Sequence, residues 1–211
     1  MLLWSYSPYL VMLRKKIDCD LAVYFRTDDY LSAPGVNVSR LRKLESEAAA
    51  LADICIAVNE LSLADLPASA RRRLLVRNGV DLKRFDPDSR SEDPIPQVAH
   101  PRLLVIGTFD SWFDRELLRS VMLERPDWQL ILAGESKADL EALTALPNVT
   151  FLGRVELDRL PGLIASCDIG LAAFTVEPFA VKGSPGKIYQ YLAMGLPVLC
   201  TPFVDPSVFA G

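Results

Sequence analysis

Short apolar runs alternate along the chain with stretches in which apolar residues recur every three or four positions. The runs LAVYFR, RLLVI and QLILA are continuous rather than alternating, the pattern of strands covered on both faces. Strands are predicted over 21–26, 54–58, 74–77, 102–106, 129–133, 149–152, 168–174 and 197–200. Helices are predicted over 9–16, 39–51, 61–68, 115–124, 137–145, 157–166 and 185–194. This β–α alternation predicts parallel, doubly wound sheets with helices on each side. The opening MLLWSYSPYLVMLRKK reads as a strand or loop followed by a helix.

The stretch 86–101, DPDSRSEDPIPQVAHP, holds four prolines and few large apolar residues, and predicts a linker. It separates 1–85, the end of one α/β domain, from 102–211, the first five strands of another. On this pattern the chain is expected to be a fragment, with an incomplete N-terminal domain and a C-terminal domain lacking its last elements.

Composition narrows the function classes. A net charge of −4 and a pI near 5.1 argue against a nucleic-acid-coating protein. No apolar run reaches the ~18 residues of a membrane span. In the opening segment the cations Arg14, Lys15 and Lys16 follow the apolar part, opposite to a secretory signal. The stretch 9–16 is a candidate peripheral contact at the inner membrane face of an otherwise cytoplasmic protein. The four cysteines, Cys19, Cys55, Cys167 and Cys200, lack C-x-x-C spacing and are expected as buried, reduced thiols.

In a parallel sheet, ligands sit beyond the carboxyl ends of the strands. Those ends carry TDDY with Asp28 and Asp29, then Asn59, GTFDSWFD, GESK and the loop into the last helix. In that loop Ser184 is placed to cap the helix, Pro185 to fill its first position and Gly195 to end it. Free N–H groups at such a start attract phosphate, and Lys182 and Lys187 flank it. Lys187 and Gln190 share a helix face, with Tyr191 and Met194 expected near it and Ile188 and Leu192 toward the sheet. A phosphate at the helix mouth and a ribose hydroxyl at Gln190 would fit a nucleotide; a capped surface helix with solvated lysines is the alternative.

Other chemistries find little material. GTFDSWFD is not G-x-G-x-x-G, and the chain has no Walker loop. His100, the one histidine, lies in the linker, which leaves no Ser-His-Asp or Cys-His arrangement. The D-x-D pairs at Asp18–Asp20 and Asp86–Asp88 are not at carboxyl strand ends and read as solvated turns.

Three stretches, LLVRNGVDLKRFDP, NVTFLGRVELDRLPGLIASCDIGLAAF and SPGKIYQYLAMGLPVLCT, together resemble the Leloir-type retaining glycosyltransferases of the GT-B fold. The last resembles their donor helix, S-P-x-K-x-Y-E-Y-L-A-x-G-x-P-V. The resemblance implies two Rossmann-like domains, the C-terminal one for a nucleoside-diphosphate sugar and the N-terminal one for a glycan or lipid-linked acceptor. It implies transfer without an obligatory metal or other cofactor, in polysaccharide or cell-envelope synthesis. By position it places Ser184, Pro185 and Lys187 at the donor, Gly107 against the diphosphate and Arg154 at the phosphates or base. It makes Asp28 and Asp29 candidates for the acceptor-side catalytic group. Relatives carry a ribose-binding Glu where this chain has Gln190, and the Glu upstream of the helix corresponds to Glu177 only if the intervening loop is long. A non-catalytic nucleotide-sugar-binding remnant and a nucleotide-sugar epimerase are the alternatives.

Overall fold

The computed structural model describes residues 1–32, 35–88, 94–95, 97–175 and 185–202. They form two units, Met1–Asn78 and the residues from Gly79 onward, each built on its own parallel sheet.

The first unit has strands β1 (Leu2–Ser5), β2 (Leu21–Arg26), β3 (Ile54–Ala57) and β4 (Arg73–Leu75), in that spatial order. All pairings are parallel, and the register of β1 on β2 runs from Leu2↔Leu21 to Ser5↔Tyr24. Helix α1 (Pro8–Val11) passes into a 3₁₀ turn, Met12–Lys15, so the predicted helix over 9–16 is split. Helix α2 (Val38–Leu51) starts at Asn37, whose side chain accepts the Arg40 N–H, and its Ala48 and Ala49 pack with Tyr24, Cys55 and Ala57. Small residues there let the helix lie close to the sheet. Helix α3 (Glu60–Ala64) is shorter than predicted and stops ahead of Pro67, which cannot donate a helical N–H.

The second unit has strands β5 (Arg102–Ile106), β6 (Gln129–Ala133), β7 (Val149–Gly153), β8 (Ile169–Ala172) and β9 (Val198–Cys200). Their spatial order is β7-β6-β5-β8-β9, all parallel. The order reverses between β5 and β8, which makes this a doubly wound sheet with its switch point there. Alternate residues of β5 face opposite layers. Leu103 and Val105 pack with Leu118 and Met122 of α4 (Arg115–Glu124) and Leu143 of α5 (Glu141–Thr144). Leu104 and Ile106 pack with Leu163 and Ile164 of α6 (Leu160–Ala165) and Tyr191 of α7 (Gly186–Ala193). Both faces are therefore covered, which is why β5 and β6 read as unbroken apolar runs. Ile95, inside the stretch read as a linker, and Phe85 just before it are buried in the second of these layers.

Helix α5 is also shorter than predicted. The N–H groups of Lys137 and Ala138 donate to the Phe109 carbonyl, at 2.8 and 3.1 Å, so the chain is held to the neighbouring loop before it can coil. Among the cysteines, Cys55 and Cys167 are buried as expected, but Cys19 is half-buried and Cys200 exposed. All four are free thiols.

At the switch point, β5 and β8 pair only at Leu103↔Ile169 and Leu104↔Gly170. The phenol of Tyr191 takes over beyond them: its oxygen accepts the Ile106 N–H at 2.9 Å, and its O–H donates to the Leu104 carbonyl at 3.2 Å. Burial pushes the Tyr191 pKa up, so the phenol stays protonated and can serve both roles. Tyr191→Phe would leave a buried N–H without a partner. It is expected to lower stability by about 1–3 kcal/mol, measured by urea denaturation; an unchanged midpoint would show that the hydroxyl is dispensable.

Candidate functional site

Directly beyond β5 the chain turns at Gly107, with φ +118, and its N–H donates to the Ala133 carbonyl at 3.0 Å. Gly134, directly beyond β6, lies so close that a Cβ there would stand 1.7 Å from the Gly107 carbonyl oxygen. These two glycines bring two backbone turns together at the carboxyl ends of adjacent strands. Ile106, Gly107, Gly134, Arg154, Lys187 and Gln190 are among the residues around a cavity of about 300 Å³ there.

Lys187 lies on the first turn of α7, one turn before Tyr191. With Tyr191 anchored to β5, the lysine is delivered to Gly107: a Cβ on that glycine would meet the Lys187 Nζ at 3.2 Å. The ammonium also sits 5.0 Å from the centroid of the Phe174 ring. Among the described residues no carboxylate pairs with it. Burial without a counter-charge pushes its pKa down to about 8. Gln190, three residues on, opens to the same cavity. Arg154, beyond β7, borders the cavity with an exposed guanidinium that donates to Glu135 at 3.1 Å.

The helix itself departs from the sequence-based expectation in two ways. Pro185 is the N-cap rather than the first helical residue, and its extended φ and ψ of −70° and 114° suit that place. Tyr191 points into the core with Ile188, whereas Leu192 is 46 % exposed, so the expected assignment of those faces is corrected. Gly195 follows the helix with φ +71, as a C-terminal stop. Glu177, Lys182 and Ser184 lie outside the described residues.

In the first unit, Asp28 and Asp29 follow β2 but meet different surroundings. Asp29 is 1 % exposed, and its Oδ1 accepts from Arg26 Nη2 at 3.0 Å. Arg26 is itself buried and also pairs with Glu45 at 3.4 Å and Asp65 at 3.2 Å, while Tyr24 donates to Glu45 at 2.9 Å. Asp29 is thus part of an internal charge network and is not presented to a ligand, against its expected catalytic placement. Asp28 is half-buried, and desolvation pushes its carboxyl above the usual carboxylate range despite a hydrogen bond from Thr27.

Residues 100–209, slightly more than half of the chain, match the family model described as Glycosyl transferases group 1. The chain belongs to that family. It is 25 % identical over 148 residues, 67 % of its length, to TuaH of Bacillus subtilis (strain 168), whose name assigns it to teichuronic acid biosynthesis as a glycosyltransferase. That match covers 37 % of TuaH. Solved structures show the same fold at low identity. A sucrose-phosphate synthase from Thermosynechococcus elongatus superposes with a TM-score of 0.73 at 18 % identity, over 99 % of this chain and 57 % of that one. HepE of Anabaena, in complex with UDP-glucose, superposes with 0.69 at 18 % identity, over 94 % and 59 %. The two Rossmann-like parallel sheets are thus those of the GT-B glycosyltransferase fold, and the chain spans about three-fifths of these structures and a smaller share of TuaH.

For this group 1 family member, the residues that sequence reasoning left out of the site are Gly134 and Glu135. GESK was visible as a strand end, but nothing local told that Gly134 packs on Gly107 or that Glu135 holds Arg154. Lys187 has the sign of a ligand-ready cation: charged, it costs folding stability below pH 8, and the cost fades as pH rises from about 8 toward the ordinary lysine value. Lys187→Met is therefore expected to be more stable than the parent at pH 7, with the difference shrinking by pH 10. Urea midpoints at the two pH values check this; a variant less stable at pH 7 would mean that the ammonium has a partner.

Proposed function

We propose that the protein is a glycosyltransferase that moves a sugar from a nucleoside-diphosphate sugar to a glycan or lipid-linked acceptor in polysaccharide or cell-envelope synthesis. The observation that carries this reading is the Lys187 ammonium, half-buried and without a carboxylate partner among the described residues, against the Gly107 backbone in a cavity at the carboxyl ends of β5 and β6. A desolvated cation beside a glycine turn is suited to an anion that brings its own charge, and a diphosphate matches it. In this reading the diphosphate lies along Gly107 and the start of α7. Lys187 neutralises it as the bond from C1 of the sugar to its oxygen breaks, without a metal ion. Gln190 holds a ribose hydroxyl, accepting one hydrogen bond without the charge of a glutamate. Arg154 reaches the phosphates or the base. The acceptor hydroxyl oxygen bonds to C1 with retention of configuration, and Asp28 is the acceptor-side candidate for taking its proton.

The relatives support the donor class. HepE was solved with UDP-glucose, and an E. coli trehalose-6-phosphate protein of the same fold with UDP-2-fluoro glucose. The name of TuaH supports a cell-envelope product. Among the described residues no helix is long and apolar enough to cross a membrane. A peripheral contact would be made through Tyr9, Leu10 and Leu13, which are 58, 53 and 42 % exposed beside Lys15 and Lys16.

Titration calorimetry with UDP and GDP tests the donor site. Lys187→Ala is expected to weaken binding by about 1–3 kcal/mol. Binding to the parent protein should take up a proton above pH 8, because the diphosphate raises the lysine pKa again, and affinity should fall as pH rises further. Unchanged affinity in the variant would remove Lys187 from the site. For Asp28→Asn, turnover of donor with acceptor should fall more than donor affinity; equal loss of both, or none, would count against an acceptor-side role. A protein that binds UDP yet never releases it from a UDP-sugar would be a binder and not a transferase.

A further inference from the structure

The first unit contains a second and larger cavity, of about 540 Å³, at the carboxyl ends of β1 and β2. Its walls include Tyr6 just beyond β1, Tyr9 on α1, Tyr30 beyond β2, and Asn37, Arg40 and Leu41 at the start of α2. The volume is that of a small-ligand site, and its place is where a parallel sheet receives ligands. Two of its three phenol rings are held in position. Tyr30 shares a hydrogen bond with Thr27 at 2.8 Å, and Tyr6 packs on Phe25 with ring centroids 5.5 Å apart.

The electrostatics have one sign. No carboxylate occurs among the cavity's described walls. The Arg40 guanidinium has no ion-pair partner among the described residues, and it stands on the first turn of a 14-residue helix, where the backbone dipole adds positive potential. A planar guanidinium beside a helix start recognises a carboxylate or a phosphate. Aromatic rings with polar edges recognise a flat ligand that is apolar on its faces and hydroxylated at its rim, as a sugar ring is.

We propose that this cavity binds a sugar residue bearing an anionic group, phosphate or carboxylate, as the acceptor end of the substrate, with the ring against the tyrosines and the anion at Arg40. The assignment rests on the glycosyltransferase reading for the word acceptor, and on the cavity alone for the ligand chemistry.

Saturation-transfer NMR on the whole chain, with glucose 1-phosphate, glucuronic acid and glucose as probes, tests it. At least one anionic sugar should bind at least tenfold more tightly than glucose, and the phosphate and carboxylate probes tell which anion is preferred. Arg40→Gln should reduce that binding by tenfold or more, while calorimetry shows its UDP affinity unchanged and circular dichroism its fold intact. Tyr30→Leu should weaken all three sugars. Equal binding of glucose, indifference to Arg40→Gln, or displacement of the anionic sugar by UDP would each overturn the proposal. So would binding to phosphatidylglycerol vesicles with no binding of any of the three sugars, which would make this face a membrane surface. Loss of UDP binding by the parent protein would instead sink the donor reading and leave the sugar measurements to stand by themselves.

Discussion

The second unit depends on one phenol. In a doubly wound sheet the strands at the switch point diverge, and the backbone groups on their facing edges lose partners just where a ligand is to enter. Here the Ile106 N–H and the Leu104 carbonyl face β8, and the Tyr191 hydroxyl satisfies both. The ring can reach them only because residue 170 has no side chain: a Cβ there would stand 2.5 Å from the ring. An orphaned buried N–H costs about 1–3 kcal/mol, so the tyrosine resolves a conflict created by the topology itself. It also fixes helix α7 to the end of β5, and that bond sets where Lys187 arrives.

The buried Arg26 and the half-buried Lys187 show opposite arrangements. Arg26 has three carboxylates within 3.4 Å, two of them buried, and the network ties β2 to α2 and to the end of α3. Such a cation is already compensated in charge and serves the structure. Lys187 has an aromatic face and a glycine turn beside it, and among the described residues no counter-charge. A site that leaves a cation under-compensated keeps electrostatic free energy available to an incoming anion, which restores the charge state that folding disfavours. The same contrast separates Asp29, locked onto Arg26, from Asp28 one residue earlier.

Much of this was legible in the residues. The runs at 21–26, 102–106 and 129–133 coincide with β2, β5 and β6, because a strand buried on both faces must be apolar throughout. Lys187 and Gln190 were paired correctly by helical spacing, and both reach the cavity. The strand at Leu2–Ser5 was harder to assign: among the described residues it lies at the edge of its sheet, four residues long with Leu2 and Trp4 exposed, so burial leaves little pattern in it. Tyr191 was misplaced because helical spacing puts it beside Lys187 as readily as beside Ile188. The choice between those faces was made by Gly170, twenty-one positions away in the chain.

Long-range backbone fit was equally invisible in the second strand end. GESK gives no sign that its glycine must pack on another turn, yet Gly134 and Gly107 approach so closely that neither turn could be drawn without the other. This closeness has a chemical consequence. Two turns without side chains, side by side at adjacent strand ends, let a ligand approach the backbone closely, beside Lys187, Gln190 and Arg154 and among the alkyl groups of Ile106, Val155 and Leu160. The family resemblance pointed to Gly107 for its contact with a diphosphate. The fold adds that both glycines are needed even before any ligand arrives: Gly107 holds φ +118, which residues with a side chain rarely adopt, and a Cβ on Gly134 would strike the Gly107 carbonyl oxygen.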